Sequence, residues 1–160
     1  MDYDLIECIK FVYLWGSLNI CFNKFSVRFL TSKTLSPKFS KYVVSGLSTY
    51  LYLYTNDINP LIGYYLYSTF IVVYDKNWLF VAHHIGSLIA ATTPINHPDY
   101  WRMMQAIYWL KLADTFSYIN KCTELSYMPL TYPSITEFIQ EWSLTINVIM
   151  SLIYRVLFPL

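Results

Sequence analysis

Apolar residues gather along the chain in six blocks separated by short polar breaks, at residues 5–22, 42–55, 60–74, 78–95, 101–122 and 135–160. A helix crossing a bilayer uses about 20 mostly apolar residues, and shorter segments cross when flanking polar residues snorkel or neighbouring helices pack against them. The pattern predicts six helices. The second block holds "STYLYLYT", an alternation that also suits a strand. An open strand in lipid leaves backbone groups unpaired at several kcal/mol each, so helix is the expectation there. The last block places Glu137, Gln140, Asn147, Ser151 and Arg155 on one helical face. In a soluble bundle that stripe is the outward face of an amphipathic helix; in a membrane bundle it faces a polar interior.

Composition decides between the two. Of 160 residues, 56% are hydrophobic and 13% are charged, against roughly 25% charged in soluble domains. The predicted fold is therefore all-α, a polytopic membrane bundle of about six transmembrane helices forming a single domain over residues 1–160. A net charge of +1 without clustered Lys and Arg indicates no nucleic-acid partner. Cys8, Cys21 and Cys122 are scattered, with no CxxC and no zinc spacing, and read as apolar fillers. The start "MDYDLIECIK" is acidic where a cleaved signal is basic, so the first block is expected to stay as an anchor. Lys24, Arg28, Lys33, Lys38 and Lys41 fill the one long linker, whereas the next turn, "NDIN", carries a lone Asp57. With six spans that linker shares a side with Lys76 and Lys121, and this basic side is expected to be cytoplasmic. Both ends of the chain then lie on the opposite side.

Ionisable groups inside apolar helices are costly and mark functional candidates. His83 and His84 sit in "WLFVAHHIGSLIA", within a run from Asn77 to Pro98 that has no Asp, Glu, Lys or Arg. Adjacent helical residues diverge by about 100°, so one imidazole can face a cavity while the other bonds a neighbouring helix. On the next helix Lys111, Asp114, Ser117, Tyr118 and Lys121 are spaced to share a side. Asp114 bonded to one histidine would fix its tautomer and leave the other ring nitrogen as base or nucleophile. The competing readings are interhelical hydrogen bonds for the histidines and neutralisation of Lys111 by Asp114. For Asn147 and Arg155 structural pairing is the better reading, and for the Gly86–Ala90 spacing a packing notch. The tyrosines of "GYYLY" either line a cavity or anchor at the interface. No metal site is expected: three histidines, His97 among them in a turn, are too few for a membrane di-iron cage. No resident cofactor is expected either, and a GxSxG elbow is absent.

The order of "SPKFSKYVVSGLSTYLYLY", "GYYLYSTFIVVYDKNWLFVAHHIGSLIAA", "LADTFSYINK" and "NVIMSLIYRVLFP" resembles the TLC domain family, which includes ceramide synthases and translocation-associated membrane proteins. The resemblance spans residues 36–159 and is most specific at Gly63-Tyr64, His83-His84 and the ending from Arg155 to Pro159. It implies a multi-pass protein, commonly of the endoplasmic reticulum membrane, whose helices surround a lipid-accepting cavity and whose partners are membrane lipids. From the ceramide synthases it implies acyl transfer, with acyl-CoA as co-substrate and His83, His84 and Asp114 at the catalytic positions. The charged signature around the histidine pair is reduced here to Asp75 and Lys76. Many relatives continue into a further helix; here that wall is expected to be supplied by a second copy, left open to lipid, or lost with the function. A non-enzymatic modulator of membrane composition is the alternative.

Overall fold

A computed structural model describes residues 3–30, 32–94 and 96–157, with their side chains except those of Ser151 and residues 154–157. The described residues are all-α. In order they form α1 (Leu5–Ser26), α2 (Ser36–Thr55), α3 (Asn59–Tyr74), α4 (Trp78–Ala91), α5 (Tyr100–Leu125), the single turn α6 (Met128–Thr131) and α7 (Pro133–Leu157), with a 3-10 turn at Lys33–Leu35. Each of the six apolar blocks becomes one long helix, the alternating second block included.

Local chemistry sets the ends. Asp4 caps α1 by accepting from the Ile6 and Glu7 amides, and Glu7 and Lys24 complement the helix dipole at its two ends. α2 begins well before the expected residue 42, because Pro37 occupies its first turn, where no backbone donor is required. It ends at Asn56, whose φ of 54° is left-handed, a conformation Asn tolerates. α4 stops at Ala91, short of residue 95. There Thr92 and Thr93 turn their hydroxyls back onto the Leu88 and Ile89 carbonyls, and Pro94 follows.

Cross-links between turns fix the up-and-down arrangement. Leu30, after α1, forms an isolated antiparallel bridge with Ser126, after α5. Lys41 near the start of α2 pairs with Asp75 at the end of α3, at 3.0 Å. The turns that hold Arg28, Lys33, Lys76 and Ser126 therefore gather at one end of the bundle. At the other, the Asp4 amide donates to Asn59 Oδ1 at 2.8 Å, joining the start of α1 to the start of α3. A buried cluster of Cys8, Tyr52, Ile58, Leu61, Ile62, Tyr65 and Ala91 packs towards that end. Here α1 and α3 approach so closely that a Cβ added at Gly63 would lie 2.5 Å from Phe11 Cβ and 2.7 Å from the Cys8 carbonyl oxygen.

Among the described helices, α1 alone has both the length, 22 residues, and the mean hydropathy, 1.4, that a bilayer crossing requires; α4 is apolar but has only 14 residues. The expected count of six spans is not reached on that measure. α3 is short, at 16 residues, and α2, α5 and α7 spread polar residues along their length. A share of those polar residues points inward. Ser40, Ser45, Ser48 and Thr49 of α2, Lys111 of α5, and Thr136 and Ser143 of α7 are buried, while Phe138, Trp142, Leu144 and Leu152 of α7 are exposed. The predicted α7 stripe is therefore shifted: Gln140 and Asn147 are half-buried beside Thr136 and Ser143, but Glu137 is exposed. The side chains of Ser151 and Arg155, and Pro159 entirely, lie outside the described residues.

Candidate functional site

Helices α2, α3, α4 and α5 surround a cavity of about 910 Å³. α4 packs closely on α3 and only sparsely on α5, so the α4–α5 side is its thinnest wall. Lys38, Lys41, Asp75 and Asn77 line it at the basic end of the bundle, and Ile71, Val72, Ala82, Ala90, Ile107 and Leu110 form apolar wall. His83, His84, Ser68, Lys111, Asp114 and Tyr118 also line it. Residues from separate helices thus converge on one space.

The histidines diverge as helical geometry requires. His84 is buried and His83 is exposed, with ring centroids 5.7 Å apart. His84 Nδ1 lies 3.0 Å from Ser68 Oγ, one helix away on α3. Tyr65 meets the His84 ring edge-on at 5.6 Å, and Phe80 does so from within α4 at 6.5 Å. The imidazole is therefore held from two sides. Lys111 is buried too; its Nζ donates to Asp114 Oδ2 at 2.8 Å and sits 5.0 Å from the centre of the Tyr65 ring. Tyr65 thus contacts both His84 and the lysine. Beside it, Tyr64 shares a hydrogen bond with Ser45 of α2.

His83, His84 and Asp114 do share a cavity, but the expected bond from Asp114 to a histidine is not formed. Asp114 pairs with Lys111, three residues earlier on the same helix. A Lys side chain only 7% exposed requires a counter-charge, and the i,i+3 carboxylate is the nearest. The group that fixes the imidazole is Ser68 instead. The expected Gly86–Ala90 packing notch is also corrected: a Cβ at Gly86 would meet nothing within 4 Å, so that glycine widens the cavity. The tight helix contact is at Gly63. Tyr64, Tyr65 and Tyr67 of "GYYLY" line the cavity.

Ser68 and Tyr65 could have been found from spacing alone. Leu61, Tyr65, Ser68 and Val72 recur at helical intervals, which places a hydroxyl on an otherwise apolar α3 face. No group of three or more His, Cys, Asp or Glu side chains poised to hold a metal occurs among the described residues. His97 does not line the cavity; its Nδ1 accepts from the Asp99 amide at 3.2 Å. Comparison with known proteins finds no family, no curated protein and no solved structure that matches this chain.

Proposed function

We propose that this chain is a polytopic, TLC-type protein of the endoplasmic reticulum membrane that accepts an acyl lipid in the α2–α5 cavity, where the histidine pair serves acyl transfer. The observation that carries the reading is the convergence of His83, His84 and Asp114, from two helices, on a single cavity with apolar walls. Such a cavity suits a long hydrocarbon chain, and its polar groups suit a reacting carbonyl.

The membrane setting is supported by the apolar outer surface. Serine and threonine hydroxyls pack between helices beside the apolar core, while many large isoleucine, phenylalanine and tryptophan side chains, such as Ile20, Phe70, Trp101 and Trp142, face outward, an exposed apolar surface that suits lipid. Buried hydroxyls let short helices pack tightly, which is how α3 and α4 would cross a bilayer as bundle members. The basic end, with Lys24, Arg28, Lys33 and Lys76, is then cytoplasmic.

A second reading, a lipid-binding modulator without catalysis, draws on the Lys111–Asp114 pair, because a carboxylate engaged by lysine does not polarise a histidine. Lipid mass spectrometry of cells expressing the chain or its His83→Ala and His84→Ala variants, normalised to folded protein, separates the two. New acylated products lost in both variants support the enzyme; an altered ratio of existing lipids, unchanged in the variants, supports the modulator.

A further inference from the structure

We propose that Ser68 is an acyl-accepting nucleophile with His84 as its base, an assignment that rests on the acyl-transfer reading and names the atom that carries the acyl group. The two residues are the one hydroxyl–imidazole hydrogen bond among the described side chains. At 3.0 Å the contact is within the reach a nucleophile and its base require, and both residues are buried yet line the cavity.

Its neighbours make the contact distinctive. Thr69, the next residue, returns its hydroxyl to the Tyr65 carbonyl at 2.6 Å, and Ser87 does the same to the His83 carbonyl at 2.9 Å. That is the usual way a helical hydroxyl is satisfied in an apolar setting. Ser68 crosses to another helix and bonds a base instead. The base is kept on target by the Tyr65 and Phe80 rings, and no carboxylate competes for its Nδ1. When Ser68 Oγ–H donates to Nδ1, the neutral ring carries its own proton on Nε2. Lys111, over the Tyr65 ring that His84 also touches, brings its ion pair with Asp114 into the same cluster.

The step balances within the chain and one acyl donor, an ester or thioester. Ser68 Oγ attacks the carbonyl carbon while its proton passes to His84 Nδ1, giving a tetrahedral oxyanion beside the imidazolium so formed. Collapse breaks the bond from carbon to the leaving oxygen or sulfur, and the leaving group takes the proton from the imidazolium. An incoming amine, alcohol or water then attacks the acyl-serine, its proton moves to Nδ1, and Ser68 recovers it as the acyl group departs. Apolar walls suit donors with a long hydrocarbon chain.

The test uses the full chain in detergent micelles with a long-chain alkyl fluorophosphonate and, separately, a palmitoyl thioester. Tandem mass spectrometry should place the adduct on the peptide containing Ser68, abolished in Ser68→Ala and slowed at least about a hundredfold in His84→Ala. Ser68→Cys keeps a nucleophile there and should form a thioester cleaved by neutral hydroxylamine, which supports the assignment even if the alanine variant fails to fold. An acyl group found on His83 or His84, persisting in Ser68→Ala, would overturn the role of Ser68 while leaving acyl transfer standing. No covalent adduct on any residue with either probe would overturn the role of Ser68, and if the palmitoyl thioester also yields no acylated amine, alcohol or free acid, acyl transfer falls with it.

Discussion

Two glycines, alike in sequence, should respond oppositely to the same methyl group. At Gly63 the added Cβ would stand 2.5 Å from Phe11 Cβ and 2.7 Å from the Cys8 carbonyl oxygen. Carbon atoms rest at about 3.5–4.0 Å, so α1 and α3 must separate by about an ångström or bend. Neither contact is the far end of a flexible side chain that could swing away. Overpacking of this kind costs about 1–3 kcal/mol. It is opposed by the gain of up to about 1 kcal/mol from replacing a helical glycine by alanine. At Gly86 nothing lies within 4 Å, so only that gain remains. Gly63→Ala should therefore melt below the parent and Gly86→Ala at or above it, with a separation of roughly 2–4 °C for each kcal/mol between them. Thermal unfolding in one detergent, followed by tryptophan fluorescence, reads this difference directly; with propensity common to both, it isolates the contact. Equal melting temperatures for the two variants would refute the close α1–α3 approach.

The Lys111–Asp114 pair makes a second expectation: with Asp114 itself 42% exposed, Asp114→Asn should destabilise by about 1–3 kcal/mol by leaving a buried ammonium unpaired, and the Lys111→Met/Asp114→Asn double variant should recover most of that loss. Equal loss in single and double variants would show that Asp114 acts through something other than Lys111. On α7, Ser143→Leu should lower the melting temperature by overfilling the contact with α5, whereas Leu144→Ser, on the exposed face, should change it little. The reverse ranking would turn the helix around. For sidedness, a glycosylation acceptor appended ahead of Tyr3 should be modified in microsomes and one inserted beside Lys33 should not; modification at Lys33 would invert the orientation.

Periodicity and block length were enough to place six long helices, because backbone hydrogen bonding and apolar patterning are local. The histidine pair and Asp114 were visible for the same reason, as rare charged or titratable groups in apolar runs. Partner choice was not. Whether Asp114 meets a histidine or Lys111 depends on which side chain is buried without a counter-charge, and that follows only from how α3, α4 and α5 pack. The spacing of Leu61, Tyr65, Ser68 and Val72 puts the Ser68 hydroxyl on an apolar face, but its bond to His84 follows only from how α3 and α4 pack. Gly63 and Gly86 could not be ranked by sequence, since a glycine shows where a side chain is missing but not what occupies the space. The polar stripe of α7 was legible as a stripe, but its rotation about the helix axis, with Thr136 and Ser143 buried and Glu137 exposed, depends on how α7 packs on α5.

The thin wall between α4 and α5 changes how a substrate would be counted. If the chain is the multi-pass membrane protein proposed above and that seam opens to the hydrocarbon layer, a lipid slides in sideways with its tail never leaving oil, and the slow transfer of a long chain through water drops out of the reaction. Encounter would then be governed by diffusion in a plane. The relevant concentration becomes the mole fraction of the lipid in the membrane, not its amount per volume of assay. Diluting the membranes with buffer should leave turnover unchanged, while diluting the substrate with inert phospholipid should lower it in proportion.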